Sequence, residues 1–350
     1  MNINTELTEL PVESLRQYIN ARQAFLAYQN ALKVQKEYRG SMLFREQDGH
    51  TYLIRDYALG RNIPLNVKVQ KQAGLGRKSP ETEAIYAKFV KEKKEAEDRV
   101  AQLKVSVDKH KRLNKAQFVG RVDEKIVDII EGLSKSGLSE HFLVIGTNAM
   151  YAYEASAGVR IEERHLATND LDLLWDDRKK LKLAVSNELA DKGLLGFLQK
   201  IDKTFKLKEN QLYTAENADG YEVDIIRRIT PGLLFDGKRV TDHEDDFWAT
   251  KIKNADWLLS APKFKEVIVS STGRMAQMTT VDPRAFVLFK LWVAEQPTRE
   301  AVKRTKDILQ SRVIIELIKE KLPHLNFDDI KVFPLDVVSK VKKMVTVQSL

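Results

Sequence analysis

The sequence predicts an α+β fold, a mixed β-sheet flanked by helices. A mainly helical amino-terminal region containing a β-hairpin precedes the sheet, and a helical region follows it. Three observations predict this. Short apolar runs with strand-like alternation cluster between residues 142 and 281. Helical periodicity fills much of the chain before and after them. Asp48-Gly49, a dipeptide suited to two-residue hairpin turns, sits between two strand-like runs in the first third. The expected regions are 1–135, 136–281 and 282–350. A chain of 350 residues, 43% of them hydrophobic, is long enough for a substantial core.

In chain order, residues 11–38 carry apolar positions at helical spacing, including Leu15, Tyr18, Ile19, Phe25, Leu26 and Tyr28. Residues 41–47 and 50–57 read as the two hairpin strands. Residues 60–78 read as a loop, with Pro64, Gly74, Gly76 and many basic residues. Gly74-Leu75-Gly76-Arg77-Lys78 invites a phosphate-loop reading but lacks that motif's spacing, and a flexible linker is the plainer one. Ser79-Pro80-Glu81 starts a helix, with acids in its first turn. Apolar positions from Ile85 to Val107 make that helix long, and residues 114–134 are expected to pack back on it. Later, residues 263–270 and 275–281 flank Ser271-Thr272-Gly273 as another hairpin. Asp282-Pro283 caps a helix that is apolar nearly all round. From Phe327 onward, short helix and loop are expected.

The stretch Thr168-Asn169-Asp170-Leu171-Asp172-Leu173-Leu174-Trp175 is the most informative. Residues two apart on a strand share a face, so Asp170 and Asp172 present neighbouring carboxylates. Two such charges repel, and a divalent cation between them removes the penalty. Magnesium suits the pair because it takes one or two carboxylates and leaves room for phosphate oxygens. An ordinary turn at Asp170 with a salt bridge at Asp172 is the competing reading. Asp176 and Asp177 read as a helix cap or solvated loop. Upstream, the apolar run 142–145 ends in Gly146-Thr147 and passes into a helix-like stretch from Ala149 to Ala157. A helix start of this kind offers N–H groups to a phosphate. Downstream, Gln211 to Glu216 and Tyr221 to Arg227 form a hairpin around Asn217-Ala218-Asp219-Gly220. Asp224 lies in its second, apolar strand. It either completes a two-metal site and helps deprotonate an attacking hydroxyl, or pairs with Arg227 or Arg228.

The order strand-Gly-Thr-helix, Asp-Leu-Asp, then a later strand Asp resembles the nucleotidyltransferase superfamily that includes polymerase β and the minimal nucleotidyltransferases. It looks most like bacterial nucleotidyltransferase-fold proteins of unassigned substrate. The resemblance covers roughly residues 138–310. It implies that Gly146 and Thr147 contact a nucleoside triphosphate such as ATP, and that Asp170 and Asp172 bind two Mg²⁺. It implies that Asp224 joins one metal and activates the acceptor. Thr147 stands where Ser is commoner, and the longer gap from Gly146 to Asp170 implies an extra loop over 159–167. Lys290, an interior charge on the 283–294 helix, is the candidate partner for the triphosphate; snorkelling or pairing with a core carboxylate is the alternative. Arg299, Lys303, Arg304 and Lys306-Asp307 either pack near the site, as in related proteins, or form a solvated basic face. Similar family members carry a basic Gly-containing segment before a Ser-Pro-Glu-Thr helix start, and that resemblance implies substrate contact for Arg77 and Lys78.

Composition sets the remaining expectations. The net charge is +8, which favours polyanions without demanding them. The acceptor expected from this reading is RNA, tRNA in particular, with protein or small molecule as alternatives, although no aromatic-rich RNA-recognition signature is evident. A catalytically inactive RNA- or partner-binding protein, as in a toxin–antitoxin or defence system, is the second functional class, and a metal-dependent phosphodiesterase the third. With no cysteine, disulfides, thiolate zinc sites and a Cys nucleophile are excluded. No apolar run approaches a membrane span. The start lacks the pattern of a secretory signal, so a cytoplasmic location is expected.

Overall fold

The computed structural model of the chain describes residues 6–57, 71–179, 187–229, 239–241 and 246–347. The chain divides into two compact units, residues 13–120 and residues 1–12 with 121–350. The first strand, β1 (Leu7–Glu9), belongs to the larger unit.

The smaller unit is built from two long helices and a three-stranded sheet. Its elements are α1 (Val12–Glu37), β2 (Ser41–Gln47), β3 (His50–Tyr57), β4 (Lys71–Arg77) and α2 (Pro80–Ala116). Asp48 and Gly49 both have positive φ, 52° and 73°, as a primed two-residue turn requires. Ser79 caps α2 and exchanges hydrogen bonds with Thr82 in a capping box. The partner of α2 is α1: Gln17 Nε2 donates to Asn114 Oδ1 at 2.8 Å. The expected packing against 114–134 is therefore corrected. α2 ends at Ala116, and the next helix, α3 (Glu124–Lys135), lies in the larger unit. The expected loop at 60–78 is corrected in part. Residues 58–70 lie outside the described residues, but Lys71–Arg77 is a strand paired antiparallel to β3. Its Gly-rich sequence has little strand propensity of its own, and β3 supplies the hydrogen-bonding partner.

The larger unit continues with β5 (Phe142–Ile145), α4 (Met150–Ala157), β6 (Val159–Ile161), α5 (Glu163–Leu166), β7 (Asp170–Trp175) and α6 (Asn187–Ile201). Then come β8 (Lys206–Lys208), β9 (Gln211–Glu216), β10 (Glu222–Arg228), β11 (Thr250–Ile252), α7 (Ala255–Ser260), β12 (Lys263–Val269) and β13 (Met275–Val281). Three helices close it: α8 (Pro283–Ala294), α9 (Ala301–Lys321) and α10 (Leu335–Val347). The mixed sheet has the order β12-β13-β5-β7-β10-β9-β8, with β11 beside β10. The extra loop expected over 159–167 is instead β6, paired with β1, followed by the short α5. The segment after Phe327 is more ordered than expected: α10 packs Val337, Val338 and Val341 into the core.

Strand alternation splits the core into two layers. Leu171, Leu173 and Trp175 of β7 join Val223 and Ile225 of β10 under α3 and α6. On the other face, Leu174 and Ile226 join residues of α4, α7, α8, α9 and α10. Asp170 and Asp172 share the parity of Leu174, and Asp224 that of Ile226. The acids thus stand where this second layer stops. Among the described residues no helix is long and apolar enough to cross a membrane.

Candidate active site

The pairing of three strands brings the acids together. β7 and β10 run parallel, with Asp172 in register with Asp224 and Asp170 with Glu222. β5 runs antiparallel to β7, with Ile145 opposite Asp172. Gly146 therefore leaves β5 directly beside the Asp172 carboxylate. Its φ is 67°, in the region that favours glycine, and a Cβ there would collide with Asp172 Oδ2. The position demands glycine on both counts. Residues Thr147–Ala149 form a single 3₁₀ turn that leads into α4.

Short polar contacts hold this arrangement. Asn148 Nδ2 donates to the Asp170 backbone carbonyl at 2.6 Å, tying the turn to the acidic strand. The Thr168 hydroxyl donates to Asp170 Oδ1. Thr214, in β9, donates to Asp224 Oδ1 at 2.6 Å. The buried Thr147 hydroxyl accepts from Gln310 Nε2 at 3.1 Å. Asp224 does not lean on Arg228, whose guanidinium takes Asp177 at 2.8 Å and Asp256 at 3.3 Å. Asp176 and Asp177 are neither caps nor solvated: Asp176 is buried and pairs with Arg178 at 2.7 Å.

Of the three acids, Asp172 borders a cleft of about 500 Å³, lined in part also by Gly146, Lys251, Lys290, Trp292 and Arg299. That size suits a small-molecule ligand. Lys290 reaches the cleft but also pairs with Asp307 of α9, Nζ to Oδ1 at 2.7 Å. Arg299 bonds the other oxygen of the same carboxylate, Nε to Oδ2 at 2.8 Å. Asp307 is thus a buried anion that fixes two cations on the cleft wall. Burial pushes the Lys290 ammonium below its ordinary value, against the pull of Asp307.

Crowding of like charge shows in the acids themselves. Asp172 is pushed up from 3.8 to about 7, first by burial, then by Asp170 and Asp224, with Lys290 and Arg299 opposing. Asp224 is also raised, by burial above all and then by Asp170, while the Thr214 hydrogen bond opposes. Carboxylate oxygens under mutual repulsion are a donor set that fits a hard divalent cation, which lowers the cost of ionising them. The three aspartates do not converge as closely as a second group does: among the described residues, ligand atoms all within 4.8 Å of one another are found at Glu6, Glu162 and His165, and not at Asp170, Asp172 and Asp224. Arg164, 2.6 Å from Glu6 and 2.9 Å from Glu162, already brings a positive charge to that group.

Of the residues singled out from sequence, Asp170, Asp172 and Asp224 stand on the paired strands β7 and β10, Gly146 and Thr147 form the turn beside them after β5, and Lys290 lines the cleft. Arg77 and Lys78 lie in the smaller unit, where Arg77 Nε donates to the Tyr52 hydroxyl at 3.2 Å and Lys78 pairs with Glu83 at 3.3 Å. Thr214, Asn148 and Gln310 carry no signal in the sequence, whereas Asp307 lies in the Lys306-Asp307 segment expected either near the site or on a solvated face, and it is the first of these. A family model described as Nucleotidyltransferase matches residues 124–332. No curated protein and no solved structure matches the chain. The match covers more than half of the chain and spans the whole acidic cleft, and the chain therefore belongs to this nucleotidyltransferase family.

Proposed function

We propose that the chain is an active, magnesium-dependent nucleotidyltransferase that moves a nucleoside monophosphate from a nucleoside triphosphate to an acceptor and releases pyrophosphate. RNA, tRNA in particular, is the favoured acceptor. The observation that carries this reading is the register of Asp172 against Asp224, with Gly146 pressed onto the Asp172 carboxylate. A structural salt bridge has no use for acids set on neighbouring strands, with one of them, Asp172, opening onto a cleft.

Asp170, Asp172 and Asp224 would hold the two magnesium ions, which supply charge neutralisation at the triphosphate. The turn at Gly146 and Thr147 lets backbone approach the phosphates closely. Lys290 and Arg299, held by Asp307, face the remaining phosphate charge. The apolar side of the cleft, including Ile226, Leu258 and Trp292, gives the base a dry surface. Asp224, whose proton affinity burial raises, accepts the proton of the attacking hydroxyl. The acceptor oxygen then bonds the α-phosphorus as the bond to pyrophosphate breaks.

The test is incubation with each labelled triphosphate, magnesium and total cell extract, followed by separation of RNA, protein and small molecules. Label should enter the RNA fraction with release of pyrophosphate. Asp172→Ala should lower transfer by about 10³-fold or more, the scale of losing charge stabilisation at a transferring group. Transfer by Asp172→Ala equal to that of the unaltered protein would overturn the reading.

A further inference from the structure

The net positive charge of the chain resides in the smaller unit. Residues 13–120 hold 22 Lys and Arg against 12 Asp and Glu, a net of +10. The rest of the chain, with 36 against 38, is at −2. The unit that lacks the acidic cleft is the one built for a polyanion.

Its three-stranded sheet has two different faces. Phe44 points to α2, its ring centroid 5.4 Å from that of Tyr86. Arg55, on the same face, lies 3.9 Å from the Phe89 ring centroid. The opposite face carries Arg45, Tyr52 and Arg77 in one cross-strand row, because Tyr52 is in register with Arg45 on β2 and with Arg77 on β4. Both arginines are exposed and Tyr52 is half-buried. The Arg77 guanidinium sits 5.8 Å from the Tyr52 ring centroid. Beside this row Gly74 is exposed, and a Cβ there would meet nothing within 4 Å, while its cross-strand neighbour Ile54 is buried. At the end of the row is a recess of about 440 Å³ lined by His50, Thr51, Arg77 and Lys78, with Glu83 as its one acid. A planar aromatic flanked by two guanidiniums and leading to a basic recess combines base stacking with phosphate contact.

We propose that this sheet face binds single-stranded RNA, with a base stacked on Tyr52 between Arg45 and Arg77 and the backbone phosphates running past Arg77 toward His50. RNA is the occupant because its loops and ends offer unstacked bases, which duplex DNA does not. The proposal rests on the nucleotidyltransferase reading only for its purpose, since it makes the smaller unit the holder of the acceptor.

The experiment is fluorescence anisotropy of the full chain, without triphosphate, against a labelled single-stranded RNA of about 20 nucleotides, longer than one stacking module spans. The same probe length as single-stranded DNA, as duplex DNA, and vesicles of anionic lipid are the comparison arms. Tyr52→Ala should weaken RNA binding about tenfold, while Tyr52→Phe, which keeps the ring, stays near the unaltered protein. Arg45→Ala and Arg77→Ala should weaken binding and flatten its salt dependence. Tyr52→Ala binding RNA as tightly as the unaltered protein overturns the proposal. So does Tyr52→Phe losing as much as Tyr52→Ala, or tighter binding to the DNA probes or the vesicles. Asp172→Asn separates the two readings. It should keep RNA binding and lose transfer; transfer without Tyr52-dependent RNA binding sinks this proposal alone, and RNA binding without transfer in the unaltered protein sinks the catalytic one alone.

Discussion

Asp172 is the residue on which the site turns. It shares a strand face with Asp170, faces Asp224 across a parallel pair and lies under Gly146. Its folded proton affinity, about 7, lies above its ordinary 3.8, so between those pH values the folded chain binds a proton that the unfolded chain has released. Stability from this group is greatest at low pH and falls as pH rises from about 4 to about 7. In chelator, the unaltered protein should lose on the order of 3–4 kcal/mol across that window relative to Asp172→Asn. Thermal melts of both proteins at pH 5 and pH 8 check this. The gap should open at pH 8, and magnesium should narrow it there; a gap of equal size at both pH values contradicts the assignment.

At the level of elements, α8 and α9 act on the cleft through one carboxylate. Asp307 of α9 is nearly inaccessible, its side chain 3% exposed, and it bonds both Lys290 of α8 and Arg299 of the turn between them. Removing one member of such a network leaves charge buried without compensation, whereas removing a cation and filling its space costs less. Asp307→Asn is therefore expected to destabilise by about 3 kcal/mol, and Lys290→Met by clearly less. Urea denaturation followed by far-ultraviolet circular dichroism measures both. Equal losses would mean that Lys290, rather than Asp307, anchors the pair. The alternation of 170–175 and the hairpins at 211–228 and 263–281 were legible because a side-chain period of two is a local property. The pairing of Lys290 with Asp307 was not, because it joins two helices whose relative rotation no local pattern encodes. β4 escaped for a related reason: Gly74 and Gly76 weaken strand propensity, and only the neighbouring strand makes the segment extended.

The whole molecule holds two compact units. Tyr18, Phe25 and Leu53 are among the buried side chains of the smaller one, and the larger packs in two layers about the mixed sheet. Units with their own cores unfold as separate cooperative blocks. Scanning calorimetry should therefore resolve two transitions, and Asp307→Asn should lower only one of them. A single transition that shifts as a whole would show the two units to be one cooperative block. The division of charge follows the same boundary, with +10 in residues 13–120. Basic residues are evident along the sequence at 60–78, but the row of Arg45, Tyr52 and Arg77 exists only through the pairing of three strands.

By itself the sequence determined the acidic strand, the glycine turn before it, the third acid and the helices after the sheet, because each is written in spacing along one segment. Only the tertiary structure decided that Asp172 meets Asp224, that Gly146 must lack a side chain, and that one buried aspartate grips two cations. Those facts depend on register between strands about fifty residues apart and on helices docked across a shared core. Such distances are set by how the whole chain packs, and no window of neighbouring residues carries them.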